Sequence, residues 1–271
     1  IAHNENKITE MPDNYIEENY TFGNGNYAYR REEGRPMGSF YGYRYKGVYQ
    51  NKDATYARDI EGNVMKDISG NAIVMRNGSY TVAPGDAIYE DVNHDGVINQ
   101  YDIVYLGNSN PRLTGGAGLN VSYKQFKLSA IFYGRYGQDV VNATRLNNES
   151  MRGIDNQSTA VLRRWRNEGD QTDIPRALYG EGYNTLGSDR FVEDASYLRL
   201  KSLSFTYRLP KKAIQRWGFN NIDVYVTGFN LFTWTKYTGQ DPELKTENTY
   251  ARDTATTPAS IQLVAGFNLS F

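Results

Sequence analysis

Residues 260–271 read SIQLVAGFNLSF, and their spacing decides the fold. Ile261, Leu263, Ala265, Phe267, Leu269 and Phe271 take every second position, with Gln262, Asn268 and Ser270 between them alongside Val264 and Gly266. A period of two is the repeat of a β-strand, whose successive side chains leave opposite faces. The stretch is long enough for a tilted strand to cross a bilayer, which takes about 9–11 residues. It ends on an aromatic. A strand of a soluble sandwich would show the same period, so the other segments have to arbitrate.

They repeat the pattern. In GAGLNVSYKQFKLSAIFYGRYG (116–137), Leu119, Val121 and Tyr123 alternate with polar residues, and Leu128, Ala130 and Phe132 resume after Lys124-Gln125. YLRLKSLSFTYRLP (197–210) and NIDVYVTGFNLFTW (221–234) form a further pair. In each the apolar face switches midway, from Leu198 and Leu200 to Leu203, Phe205 and Tyr207, and from Ile222, Val224 and Val226 to Phe229 and Leu231. Such switches predict bulges, or strands that rise above the lipid. GNYAYRR (25–31) and GSFYGYRYKGVYQ (38–50) read as another hairpin turning near Gly34 to Pro36, which brings the count to roughly seven strands.

Short connections alternate here with long ones. That is the asymmetry of outer-membrane barrels, with tight turns in the periplasm and long loops outside. If Phe271 lies at the periplasmic rim, residues 51–113, 138–194 and 235–258 are extracellular. The predicted fold is all-β: a transmembrane antiparallel barrel, of which this chain supplies a part. An odd number of strands does not close such a barrel.

Composition agrees. The 271 residues carry a formal net charge of −1, which sets nucleic acid aside as a partner. There are 23 Tyr and 26 Gly, suited to strands and tight turns, and mean hydropathy is −0.67. No apolar run is long enough for a transmembrane helix, a limit that barrel strands escape. With no cysteine, neither disulfides nor thiolate metal sites arise. The chain opens on IAHNENKITE without Met or an apolar leader, which predicts further sequence upstream.

One stretch carries metal chemistry. DVNHDGVINQYD (91–102) sets Asp91, Asn93 and Asp95 at positions 1, 3 and 5 of a calcium-type loop, with Gly96 at the sharp turn. Val97 would add its backbone carbonyl, Asn99 a direct or water-mediated ligand, and Asp102 the closing carboxylate where a sensor carries Glu. Ile98 is the apolar pin, and His94 falls outside the ligand set. The predicted ion is Ca2+, because the loop offers flexible oxygens. No amphipathic helices flank it, so its expected role is a structural brace. A turn held by side-chain to backbone bonds is the competing reading.

Other features carry less chemistry. LRRWRNEGDQTDIPR (162–176) could stack Trp165 on a sugar ring or simply pack it against the loop. Tyr41, Tyr43 and Tyr45 share a strand face, fitting a lumen wall or an interfacial aromatic belt. Catalysis is not expected: His3 and His94 are the only histidines, and no nucleophile elbow or phosphate loop occurs. Glu193 and Asp194 are adjacent, so a strand sends them to opposite faces.

Several long phrases together resemble one family. EGRPMGSFYGYRYKGVYQN (33–51), PGDAIYEDVNHDGVINQYDIVYLGNSNPRLTGG (84–116), RFVEDASYLRLKSLSFTYRLP (190–210), NLFTWTKYTGQDPE (230–243), NKITEM (6–11) and the closing Phe271 resemble the C-terminal part of SusC/RagA-family TonB-dependent outer-membrane transporters. The resemblance implies a 22-stranded barrel whose N-terminal plug and earlier strands lie outside this sequence. It also implies a SusD-like surface lipoprotein as a lid, TonB as the energy-coupling partner, and an oligosaccharide or a peptide as cargo. Two readings from other classes remain beside it: a calcium-stiffened surface adhesin, and a small self-contained porin.

Overall fold

The computed structural model describes residues 1–11, 27–29, 31–244, 246–247 and 250–271. The two-residue β1 (Ala2–His3) comes first. Short strands follow: β2 (Ala28–Tyr29), β3 (Ser39–Gly42), β4 (Tyr45–Val48), β5 (Arg76–Asn77), β6 (Tyr80–Thr81), β7 (Ala87–Tyr89) and β8 (Val104–Asn108). The first long hairpin is β9 (Leu113–Tyr123) and β10 (Phe126–Tyr136). After β11 (Asp139–Asn142), helix α1 (Ala143–Asn148) and β12 (Val192–Asp194) comes β13 (Tyr197–Arg208). Helix α2 (Lys211–Ile214), β14 (Asn221–Thr235), β15 (Thr246–Glu247), β16 (Tyr250–Asp253) and β17 (Gln262–Ser270) complete the chain. No helix among the described residues is long and apolar enough to cross a membrane.

Strands β1, β9, β10, β13, β14 and β17 lie side by side in that order, each antiparallel to the next. Register explains why. Leu128 stands opposite Val121 on one side and Phe205 on the other, Phe205 opposite Val226, and Val226 opposite Ala265. One apolar row thus crosses five strands, and Tyr123, Phe126, Tyr207, Val224 and Phe267 form the next. The reverse face is polar: Ser129 Oγ donates to Asn120 Oδ1 at 2.7 Å, and the Ser204 and Thr227 hydroxyls are 2.8 Å apart. Among the described residues nothing covers the apolar face, where Leu263 is 74% and Phe267 67% exposed. A belt of that size in contact with water is a surface made for another apolar phase.

The face switches are bulges. Pairing passes from Ser202 directly to Leu200 on β13, leaving Lys201 extra, and this returns Leu198 and Leu200 to the face of Leu203, Phe205 and Tyr207. On β14 two residues are extra, Asn230 and Leu231, with Asn230 at a left-handed φ of 52°. Phe232 and Trp234 therefore continue the apolar rows, opposite Leu200 and Leu198, in place of the expected Phe229 and Leu231. Phe229 takes the polar face. The Leu231 side chain folds back over Gly228, 2.7 Å from where a Cβ would stand.

The two rims differ. At one, β9 turns into β10 through Lys124 and Gln125, and Phe271 packs on Phe219 with ring centroids 4.9 Å apart. At the other, long connections join β1 to β9, β10 to β13 and β14 to β17. The sheet stays open, with β17 paired on one side only and β1 covering two residues of β9.

The strand count departs from expectation. The stretch at 38–50 is not wall: β3 sits between β2 and β8 in a separate three-stranded sheet, and β4 pairs with β7. Every residue of β3 is buried, so neither face meets lipid or an open lumen. Phe40, Tyr41 and Tyr43 are core residues of a body beyond the loop rim. Among the described residues the wall has five long strands and the two-residue β1, where roughly seven strands are expected. The first half of that hairpin lies partly outside the described residues, at 25–26 and 30. The connection taken as 51–113 accordingly belongs to a larger body that also includes β2, β3 and β4.

Candidate metal loop and extramembrane body

Beneath the calcium-type loop lies a rib of turns. Ala57 N–H donates to the Ile73 carbonyl at 2.8 Å, Met65 to Ala57 at 2.9 Å and Ile73 to Met65 at 2.9 Å, so three short segments bond in a ring. Two matching turns project from it. Asp59 Oδ1 accepts from Glu61 N and Asn63 N, as Asp67 Oδ1 accepts from Ser69 N and Asn71 N. Those N–H bonds, led by the one from the asparagine, hold both carboxyls below the usual aspartate range. The repeat Asp-Ile-x-Gly-Asn at 59–63 and 67–71 is the sequence signal for the rib, and a strand-and-turn reading passes over it.

The 91–102 loop rests on this rib. Gly96, at φ 79°, presses against Ala57, where a Cβ would come within 2.9 Å of the alanine methyl. Ile98 is fully buried in the same core, in keeping with its pin role. Asp91 Oδ2 accepts from Gly96 N at 2.8 Å and its Oδ1 from Asp95 N at 3.2 Å. Around Asp95 Oδ2 the structure gathers Asn93 Nδ2 at 2.9 Å and Asn99 Nδ2 at 3.4 Å, and Asn99 also reaches the Val97 carbonyl. Five of the six residues read as ligands thus converge on one turn.

Asp102 behaves differently. Its two oxygens accept from Val92 N and Asn99 N at 2.8 Å each, and with Asn99 it forms a reciprocal cap on the 3-10 turn at 100–102. Burial pushes its carboxyl above the usual range. The Asn99 and Val92 N–H groups oppose that rise, and the Asp91 and Asp95 charges add to it. Among the described residues no three His, Cys, Asp or Glu side chains converge as a metal cluster. The loop is thus held by bonds among its own side chains and backbone N–H groups, with Asp102 as a clasp on it.

Two carboxylates, one buried and one half-buried, join the three long connections into one body. Asp86 is inaccessible and accepts from Arg176 Nε and the Tyr80 hydroxyl at 2.7 Å and from Ala83 N at 2.8 Å. Glu193 takes Arg145 Nη1 at 2.6 Å, Asn142 Nδ2 at 3.1 Å and Thr238 N at 2.9 Å. β11 lies between β12 and β16, pairing in parallel with the latter. The indole of Trp165 lies flat on Gly85, occupying the space of a Cβ. Trp165 therefore packs one side of its ring against its own body. Glu193 and Asp194 diverge, Asp194 bonding Ser196, so the pair shares no site.

No family model matches the chain. TonB-dependent receptor P3 of Formosa agariphila is 32% identical over 255 residues, 92% of this chain and 23% of that protein. Receptor P26 of the same organism is 36% identical over 159 residues, 59% of this chain and 16% of that protein. Among solved structures, the RagAB peptide transporter superposes with a TM-score of 0.65 at 26% identity, over 98% of this chain and 25% of that one. The RagAB importer in its closed-closed state gives 0.63 over 93% and 25%. The chain belongs to the SusC/RagA-type TonB-dependent receptors.

Receptors of this type are outer-membrane β-barrels, and the five-strand sheet is a sector of such a wall. Its apolar rows face lipid and its polar face the barrel interior. The receptor chain spans 23% of the length of P3 and 25% of the RagAB chain. The curated relatives are named as TonB-dependent receptors and the solved structures as a peptide importer.

Proposed function

We propose that this chain serves in the active import of large nutrients across the outer membrane, as barrel wall and extracellular body of a transporter. TonB drives the cycle through a plug contributed by the rest of the receptor, and a SusD-like lipoprotein covers the body as a lid. The cargo is an oligosaccharide or a peptide, and the naming of both structural neighbours as peptide importers favours a peptide. One observation carries the reading: lipid-facing rows in register across five strands, beneath a single body that gathers all three long connections at one rim. To test it, cells with and without the complete receptor are fed fluorescent peptides and fluorescent oligosaccharides, with and without a protonophore. Receptor-dependent uptake that the protonophore abolishes supports the proposal. Uptake that ignores loss of the receptor overturns it.

The same reading includes Ca2+ as a brace at Asp91, Asn93, Asp95, Val97 and Asn99, with Asp102 closing the loop. Its support is the convergence of those donors on one turn. The ion would fix the loop against the rib and the body against the lid. Chelation should then expose the loop to protease in the wild type, and Asp91→Ala or Asp95→Ala should be exposed without chelator. Equal protection in all of these removes the metal.

A further inference from the structure

The hairpin of β5 and β6 turns on a reactive pair. Asn-Gly stands in the sequence at 24–25 and at 77–78, and the second pair lies among the described residues. Asn77 is opposite Tyr80 at the end of the hairpin, and Gly78 opens the two-residue turn at φ 57°, a position that suits glycine. Gly78 is exposed, with nothing within 4 Å of where its Cβ would stand, so water reaches it. The Asn77 side chain, by contrast, is engaged: Nδ2 donates to the Ile98 carbonyl at 2.7 Å. The hairpin and the 91–102 loop are bonded side by side there, Arg76 N–H donating to the Gly96 carbonyl at 3.2 Å and Ile98 N–H to the Arg76 carbonyl at 2.7 Å. Ile98 is fully buried, which fixes the acceptor that Asn77 uses.

We propose that Asn77 is a deamidation site gated by the 91–102 loop. While the loop is closed it holds the side chain out of reaction, and once it opens Asn77 undergoes a change that hinders closing again. The reaction uses water and no enzyme. The Gly78 nitrogen loses its proton and attacks Asn77 Cγ; the new C–N bond closes a succinimide ring, the Cγ–Nδ2 bond breaks, and Nδ2 leaves as ammonia with that proton. Water then opens the ring at either carbonyl, giving aspartate or isoaspartate. Glycine permits this because no Cβ shields the attacking nitrogen. Two native features oppose it. Ring closure has to bring the Gly78 nitrogen back onto Cγ, out of the extended backbone that Asn77 holds opposite Tyr80, and it has to break the bond to Ile98. β5 and β6 are only two residues each, so the loop's bonds to Arg76 and Asn77 are what keep the hairpin in register. In the product a carboxylate meets the Ile98 carbonyl where a donor stood, which leaves that buried acceptor without its bond.

The complete receptor in detergent is aged at mildly alkaline pH beside the same chain unfolded in urea, and deamidation at Asn77 is followed by peptide mass mapping. Several-fold slower reaction in the native receptor than in the unfolded chain is expected. Gly96→Ala and Asp102→Ala, which loosen the loop at two separate points, should each recover much of the unfolded rate. Arg199→Ala, which frees a different connection, should keep the native rate. Asn77→Asp, which installs one product directly, should raise amide exchange across 91–102 several-fold. Equal rates in the native and unfolded wild type overturn the protection, and native rates in both loosened variants overturn the gate. An unfolded chain that keeps Asn77 intact overturns the site, and unchanged exchange in Asn77→Asp overturns its effect on the loop.

Discussion

Arg199 Nη1, on the inward face of β13, donates to Glu243 Oε2 at 2.8 Å across the connection from β14 to β17. The same guanidinium also bonds Asp241 and Thr233, and Lys201 reaches Glu243 at 2.7 Å. Arg199 is 3% exposed. The connection from β14 to β17 is thus latched onto the polar face of the sheet by an ion cluster.

Arg199→Ala should release that latch. Removing one member of a buried pair leaves the others uncompensated, at a cost of about 3–5 kcal/mol. Protease cleavage and amide exchange within 236–261 should rise by orders of magnitude while the lipid-facing strands stay protected. Unchanged exchange in that segment would refute the latch.

Acid should act in the same direction. Burial alone would raise the Asp241 carboxyl, but the Ala259 N–H and the Arg199 guanidinium outweigh it and hold the group below the usual aspartate range. A depressed folded value means that its contribution is complete above the ordinary aspartate range and is lost as pH falls through the folded value. Amide exchange of 236–261, corrected for intrinsic rate, should therefore accelerate on acidification, with Asp241→Asn flattening the response.

Face assignment predicts a sharp asymmetry between neighbours. Leu128→Lys puts a charge on the lipid side of the wall and should cost about 2–4 kcal/mol at mid-depth. Ser129→Lys, one residue on, faces the interior and should leave assembly intact. Folded, heat-resistant receptor in membranes, measured by gel mobility, reads both. Equal tolerance would contradict the assigned faces.

Gly85→Ala should loosen the body. The Gly85 backbone sits at φ 88°, and a methyl there would fall 2.3 Å from the Trp165 ring. Overpacking costs typically about 1–3 kcal/mol, and the left-handed backbone adds to it. Exchange at 163–176 should rise, and Trp165→Ala in the same chain should recover part of the loss.

Much of the wall was legible because a lipid-facing strand has one constraint, alternation, which residues such as Leu263 and Phe267 state locally. The tyrosine stretch at 38–50 misled for the same reason: its alternation matches a wall strand, and only contacts with residues far along the chain show that it is buried on both faces. Spacing alone makes 91–102 a tight turn rich in side-chain oxygens, yet the capture of Asp102 by Val92 and Asn99 N–H groups depends on a turn that no spacing encodes. The rib repeat at 59–71 was present in the letters as a period of eight, outside the strand and helix periods.

By itself, then, the sequence determined that strands form, where apolar and polar residues alternate along them and where tight turns fall. These are short-range consequences of residue type and period. The tertiary structure decided which strands are wall, how the bulges at Lys201 and Asn230-Leu231 keep one face continuous, and how Asp86, Glu193 and Arg199 fuse three distant loops. Those outcomes depend on which charge finds which partner across tens of residues, and chain order alone does not fix that.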